Sequence, residues 1–555
     1  MRCFSLFPLL VLQVHCLWPI PRSLSTGSTT LKLAADFKIN LNVSNPPQDL
    51  VDAISQTESY LSNDKLQRLA VGRGAADNAT LTGARKIASL SVSLVKGAPV
   101  HPIATEAVKA LTSREESYIL SVPSDGSAAS LTANSTLGLF RGLTTFSQLW
   151  YYYGGVTYSL EAPVEITDYP AYPYRGFMLD TARNYFPVDD IKRTLDAMSW
   201  VKMSTFHWHV VDSQSFPLEV AGFEELSQAG AYSTDQIYNA SDVKDIIAYA
   251  GARGIDVLVE VDTPGHTASI SASHPEHIAC NDASPWGDYS AEPPAGQLRI
   301  ASSATTNFTA SLLGAVAKTL PSTMFSTGGD EVNLKCYTKD AQTQAELKKS
   351  GKTIEQALDT FTSATHGALV AEGKVPVVWE EMVLDFNVTL HKDTIVMVWI
   401  SSANAKAVTE KNYRIVHAPS YYFYLDCGAG EWLGDDPTGN SWCDPFKTWQ
   451  KSYTFNPLAN LTTSQQKLVL GGQQLLWTEQ SSAENLDSIV WPRAAASAEI
   501  FWTGDTLPSG GPLSGSTALP RLHDLRYRMV QRGVRAIPLQ PQWCALRPGV
   551  CNLNS

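Results

Sequence analysis

From Tyr174 onward the chain carries eight short runs rich in apolar, β-branched and aromatic residues, with amphipathic segments filling most of the gaps between them. The runs are Tyr174 to Leu179, Thr205 to Val211, Ile255 to Val261, Thr323 to Thr327, Val375 to Trp379, Thr394 to Ile400, Arg414 to Ala418 and Leu468 to Leu476. Helical periodicity covers Val188 to Val201, Asp242 to Ala252, Thr306 to Leu320, Ile354 to Val370 and Ala403 to Lys411. Eight strand candidates alternating with helices predict an α/β fold closed as a (β/α)8 TIM barrel, with a doubly wound open sheet as the alternative. Such a barrel collects its functional groups where strands end and βα loops begin. The irregular stretch from Ala429 to Gln466 predicts a large loop after the seventh strand.

Upstream the pattern is less regular. Strand-like runs (Lys32 to Leu41, Ile87 to Val95, Tyr118 to Val122) and a helical stretch from Leu137 to Trp150 predict a small α/β domain over residues 19–168. The connector Asp168-Tyr169-Pro170-Ala171-Tyr172-Pro173 is stiffened by its prolines and opens the barrel domain, residues 169–555.

Residues 1–18 read as a secretory leader: Arg2 precedes the apolar run Cys3 to Val14, too short to span a bilayer, and the cut is expected between Cys16 and Arg22. Seven N-x-S/T sequons, at Asn42, Asn78, Asn134, Asn239, Asn307, Asn387 and Asn460, point the same way, to a secreted glycoprotein. The formal charge of -12 speaks against nucleic acid or an anionic membrane as partner. Loss of Cys3 and Cys16 with the leader would leave Cys280, Cys336, Cys427, Cys443, Cys544 and Cys551, an even set that predicts three disulfides. Fifteen pairings are open, and the short spacing of Cys544 and Cys551 makes theirs the simplest. Neither CxxC nor HxxxH spacing is present, so no metal or other cofactor is expected.

The chemistry concentrates in Ser326-Thr327-Gly328-Gly329-Asp330-Glu331, at the end of the fourth predicted strand. The glycines let the backbone approach a ligand, and two adjacent acids follow, costly at a buried strand end unless partnered. Two-carboxylate retaining glycosidases hold their acids ~5–5.5 Å apart across one bond. Neighbours on one strand end diverge too much for that, but can divide labour within one pocket.

These residues resemble glycoside hydrolase family 20, the β-N-acetylhexosaminidases, and especially its secreted fungal members. The resemblance rests on Arg175-Gly176-Phe177-Met178-Leu179-Asp180, His207-Trp208-His209 with Asp212, Asp262-Thr263-Pro264-Gly265-His266, Gly328-Gly329-Asp330-Glu331 and Trp477-Thr478-Glu479. It implies hydrolysis assisted by the substrate's own acetamide, with Glu331 as acid and then base. Asp330 would accept the acetamide N–H, Tyr424 would donate to its oxygen, and His266 and Asp212 would stand behind Glu331, with Glu260 near them as a substrate-binding group. Trp379, Trp399 and Trp477 would form an aromatic pocket, and Arg175, Asp426 and Glu479 would hold sugar hydroxyls and make the enzyme exo-acting. The expected carbohydrate is a chito-oligosaccharide or an N-acetylhexosamine-terminated glycan, and the expected assembly a homodimer. Cys280 is expected to pair with Cys336, and Cys427 with Cys443, which would pin the loop beside Asp426. Ser326 and Asn184 depart from the family pattern, where histidines are frequent.

Two other readings compete. His207 and His209 share a strand face and could bind a metal, although such barrels usually place the pair on the first strand. A non-catalytic sugar-binding protein would have less reason to keep Asp330, Glu331 and Tyr424 together.

Overall fold

The computed structural model describes residues 16–386 and 388–553. Eight parallel strands close a barrel: Tyr174–Asp180, Thr205–Val211, Asp256–Val261, Met324–Ser326, Val375–Trp379, Ile395–Val398, Arg414–His417 and Val469–Leu476. The eighth pairs with the first, Gly471 opposite Tyr174 through Leu476 opposite Leu179, so no edge is left open. The predicted barrel is correct and the open sheet is not. The strands read as continuous apolar runs because both faces are covered: every residue of the first three is buried.

The preceding domain is a six-stranded sheet spanning Ser23–Leu41 to Val156–Asp168, with the helix Thr136–Gln148 packed against it. Residues 1–15, most of the expected leader, lie outside the described residues, as does the sequon at Asn387. Leu17 and Trp18, within the window expected for the cut, are buried within the fold. The Trp18 indole N–H donates to Ala495 O at 2.9 Å, its backbone N–H donates to the Gln148 side chain at 2.8 Å, and the ring packs at the hydrophobic heart of the barrel side. The other six sequon asparagines are exposed.

Where the two domains meet, a buried ion cluster fastens the lower rim of the barrel. Glu116 receives Arg141 Nε at 2.8 Å and Arg175 Nη2 at 2.6 Å, and Asp168 receives Lys202 Nζ at 3.0 Å and the Trp502 indole at 2.9 Å. Buried charges of this kind survive only when paired. The three disulfides are Cys280–Cys336, Cys427–Cys443 and Cys544–Cys551, as expected.

Candidate active site

The barrel mouth is built from the ends of all the strands that carry the motif residues. After Ser326 the chain turns through Gly328 (φ 60°) and Gly329 (φ 98°), both left-handed. A Cβ on Gly328 would lie 2.0 Å from Asp262 Oδ1, so only glycine lets the Asp262 carboxylate fold over this turn. Asp262 Oδ1 then accepts the Gly329 N–H at 2.8 Å. Asp262 Oδ2 and Asp330 Oδ1 are both buried without a protein donor, the arrangement of two carboxyls satisfied by one shared proton. Burial pushes both carboxyls up, and the neighbouring Asp330 adds to it at Asp262, taking Asp262 well above the usual carboxylate range, as a proton shared between them requires.

Glu331 leaves this turn with φ 54° and stands 35% exposed, whereas the Asp330 side chain is 10% exposed. Two adjacent acids thus occupy different surroundings. Glu331 Oε2 lies 3.2 Å from His266 Nε2, and His266 Nδ1 lies 3.1 Å from Asp212 Oδ1. Burial alone would favour a neutral His266, but Asp212, Glu331 and Asp330 outweigh it and raise the ring well above its ordinary value. Asp212 is further held by His209 Nε2 at 2.7 Å and Arg183 Nη1 at 3.0 Å. The chain Asp212–His266–Glu331 therefore has the geometry of an oriented acid–base relay.

Three tryptophans and a tyrosine cluster at the barrel's strand ends. Trp379 and Trp477 approach at 6.2 Å, and Trp399 stacks on Tyr424 at 6.1 Å with an angle of 11°. Asp426 and Glu479 line the same end, and burial pushes their carboxyls up to about 7 and about 8 respectively. Asp426 accepts the Trp477 backbone N–H at 3.4 Å, and the adjacent Cys427–Cys443 bond fixes its loop.

Two expectations need correction. Arg175 cannot reach the mouth: it lies at the start of the first strand, fully buried, donating to Glu116 and to the Lys202 carbonyl at 2.8 Å. The arginine at the mouth is Arg183, three residues beyond the strand's end, with Nη1 3.3 Å from Asp180, Nε 2.9 Å from Glu292, and its guanidinium 5.0 Å from the centre of the Trp477 ring. The rule that barrel chemistry sits on βα loops would have selected Arg183. Glu260 is fully buried beneath the floor and does not line the pocket as a substrate-binding group. It lies 3.2 Å from His207 Nε2 and 2.6 Å from His209 Nδ1, and the Ser326 hydroxyl, at the first departure from the family pattern, donates to it. Both His209 nitrogens thus face carboxylates. At the second departure, Asn184 Nδ2 donates to the Thr478 carbonyl at 2.7 Å, joining the first and eighth strand ends.

Sequence reasoning also passed over Glu292, Glu381 and Trp442. Trp442, 68% exposed, stands edge-on to Trp399 at 5.7 Å and to Tyr424 at 5.8 Å, on the rim. Its place next to Cys443, in the loop pinned by the disulfide, was the available signal.

The catalytic-domain model of glycosyl hydrolase family 20 matches residues 172–505, and a model described as beta-acetyl hexosaminidase like matches residues 17–149. A beta-hexosaminidase of Arthroderma benhamiae is 35% identical over 458 residues, covering 79% of this chain and 74% of its own. A chitooligosaccharidolytic beta-N-acetylglucosaminidase of Bombyx mori is 36% identical over 453 residues, with 79% and 74% covered. Among solved structures, a chitobiase of Flavobacterium johnsoniae superposes with a TM-score of 0.74 at 25% identity, over 94% of this chain and 73% of that one. With the barrel, the Asp330–Glu331 turn and these matches in agreement, the chain belongs to glycosyl hydrolase family 20 and is a glycoside hydrolase of the β-N-acetylhexosaminidase type.

Proposed function

We propose that this hydrolase removes terminal β-linked N-acetylglucosamine or N-acetylgalactosamine from chito-oligosaccharides or glycans, with retention, through an oxazolinium formed by the substrate's own acetamide. The observation that carries this reading is the divergence of the two neighbouring acids. Asp330 is enclosed beside the aromatic walls, whereas Glu331 opens toward solvent and is bonded to His266.

Glu331 gives its proton to the glycosidic oxygen as the bond from C1 to that oxygen breaks. The acetamide carbonyl oxygen attacks C1 from the opposite side, and Asp330 accepts the acetamide N–H and balances the positive charge that develops. Tyr424 donates to the acetamide oxygen. Glu331, now a carboxylate, takes a proton from water, whose oxygen attacks C1 and reopens the ring. Arg183, Asp426 and Glu479 hold the hydroxyls of the terminal sugar and close off the space beyond it, so action is exo; Trp442 offers a stacking face for the departing sugar.

Fluorinating the acetyl methyl tests the nucleophile: the rate should fall with each added fluorine, because the carbonyl oxygen loses electron density. A Glu331→Gln enzyme should retain more activity on substrates with good leaving groups, and azide should restore turnover as a β-glycosyl azide. An ester trapped on Asp330 or Glu331, with indifference to fluorination, would replace this scheme with direct nucleophilic attack. Capping the non-reducing end of a chito-oligosaccharide should abolish turnover. Secretion, occupancy of the exposed sequons and a homodimer complete the proposal, and mass and light scattering of the purified glycoprotein test them.

A further inference from the structure

The fifth barrel strand ends at Trp379 and is followed by Glu380 and Glu381, and neither acid enters the mechanism above. Both are buried, Glu380 at 0% and Glu381 at 5% exposure, where an unpartnered carboxyl would be costly. Both turn toward the same neighbouring segment. Glu380 Oε1 accepts the backbone N–H of Ile400 at 2.6 Å, and Glu381 Oε2 accepts the indole N–H of Trp399 at 2.9 Å. Two consecutive acids on one strand end therefore hold two consecutive residues on the next, one by its backbone and one by its ring.

The same turn touches the acid that steers the acetamide. Met382 follows Glu381 and packs against the Gly329 backbone so tightly that a Cβ on Gly329 would lie 2.5 Å from Met382 Cγ. Trp399 is itself only partly buried and stacks on Tyr424. A partly exposed indole between a stacked Tyr424 and an edge-on, exposed Trp442 gains a single orientation from a polar anchor on its N–H.

We infer that Glu381 is a positioning residue that fixes the Trp399 wall of the acyl pocket through the indole N–H, and thereby sets which N-acyl groups the enzyme accepts. This inference rests on the acetamide-assisted reading of the site. Burial, and then the nearby Asp330, push Glu381 up to about 9, so it holds the indole as an uncharged carboxyl and adds no second negative charge beside Asp330. The expected selectivity is steric: a fixed wall admits an acetyl methyl and rejects one more carbon, as a well-packed pocket does to within about a hundredfold per methylene.

The test compares kcat/KM for the 4-nitrophenyl glycosides of N-acetyl- and N-propionyl-β-glucosamine. Wild type should favour acetyl strongly. Glu381→Ala should lower the acetyl-to-propionyl ratio at least fivefold, with KM for the acetyl substrate rising more than kcat falls. Glu381→Gln keeps a side-chain oxygen for the indole and should hold the ratio within twofold of wild type. Trp399→Phe removes the indole N–H and should lower the ratio by itself, a comparison that stands even if the alanine variant fails to fold; adding Glu381→Ala to it should then change little further. A ratio unmoved by Glu381→Ala and by Trp399→Phe, or equal losses on both substrates, would overturn the inference while leaving the function intact. Failure of wild type to cleave the N-acetyl glycoside would remove both.

Discussion

His266 and Glu331 meet at 3.2 Å from two different βα loops, and each stands on a left-handed backbone, with φ 51° and 54°. Such conformations cost a non-glycine residue of the order of 1–3 kcal/mol and persist only where surroundings over-determine them. Here Asp212 holds the far side of His266, and the folded-over Asp262 holds the turn that delivers Glu331. Binding energy from the buried carboxylates maintains a strained contact at the reacting group.

That contact predicts a pH signature. His266 is raised above its ordinary ~6.5, so its charge stabilises the fold fully below that value and the contribution is lost as pH rises through the higher folded value. Asp212→Asn removes the main opposing charge and should bring the alkaline limb of kcat/KM to lower pH, with kcat down about 10²-fold or more. An alkaline limb in the wild-type position would reject the relay.

Gly328→Ala is predicted to be far more damaging than its size suggests. The added Cβ would meet Asp262 Oδ1 at 2.0 Å and Cγ at 2.2 Å, at a φ of 60°. Displacing Asp262 loosens Asp330, and misplacement by about 1 Å costs on the order of 10²-fold. Steady-state rates, with a melting curve to verify folding, decide this.

Arg183 and Arg175 should separate cleanly. Arg183→Lys loses the planar fork that spans Asp180, Asp212 and Glu292, and kcat/KM should fall about 10²-fold or more. Arg175→Lys keeps the charge but loses the fork that bonds Glu116 and the Lys202 carbonyl together, so stability should drop by about 1–3 kcal/mol while kcat of the folded fraction is kept. Urea unfolding and active-site titration distinguish the two outcomes; the reverse pattern would return the sugar-binding role to Arg175.

Stability of the ligand-free protein should decline as pH rises from about 4 to 8. Unfolded Glu and Asp titrate near ~4, whereas burial holds Glu479 to about 8 and Asp426 to about 7 in the fold. In that window the native state binds more protons than the unfolded state, so the slope is negative. Glu479→Gln should flatten it, as thermal melts across that range would reveal; an unchanged slope would show that Glu479 is not the group responsible.

The barrel was legible because parallel strands covered on both sides leave unbroken apolar runs: Thr205–Val211 and Val375–Trp379 begin and end where the sequence puts them. The sheet domain was less so. Its strand Val156–Asp168 alternates in burial but carries Pro163, which argues against a strand, and Ala129–Ala133 offers only Leu131 among small residues. In the site, motif residues were legible and depth was not. Glu260 sits on a strand and points under the floor, while Arg183 sits on a loop and points into the pocket, a distinction one-dimensional spacing cannot carry. Glu381 was invisible for a related reason, since its meaning comes from an indole on the next strand.

The burial of Leu17 and Trp18 has a consequence for biosynthesis. Arg521, on the helix Gly515–Gln531 near the end of the chain, donates to the Leu17 carbonyl at 3.1 Å, so the Leu17–Trp18 segment waits for a residue translated 504 positions later. Contacts of such sequence separation form late, because the loop between them must close first. During synthesis the sheet domain and the barrel can each begin to assemble, but the seam that joins them stays open, with Trp18 uncovered, until the ribosome has nearly finished. A nascent chain truncated before residue 515 should therefore bind chaperones through this segment, and one begun at residue 19 should reach the end of translation with an unfilled slot between its two halves.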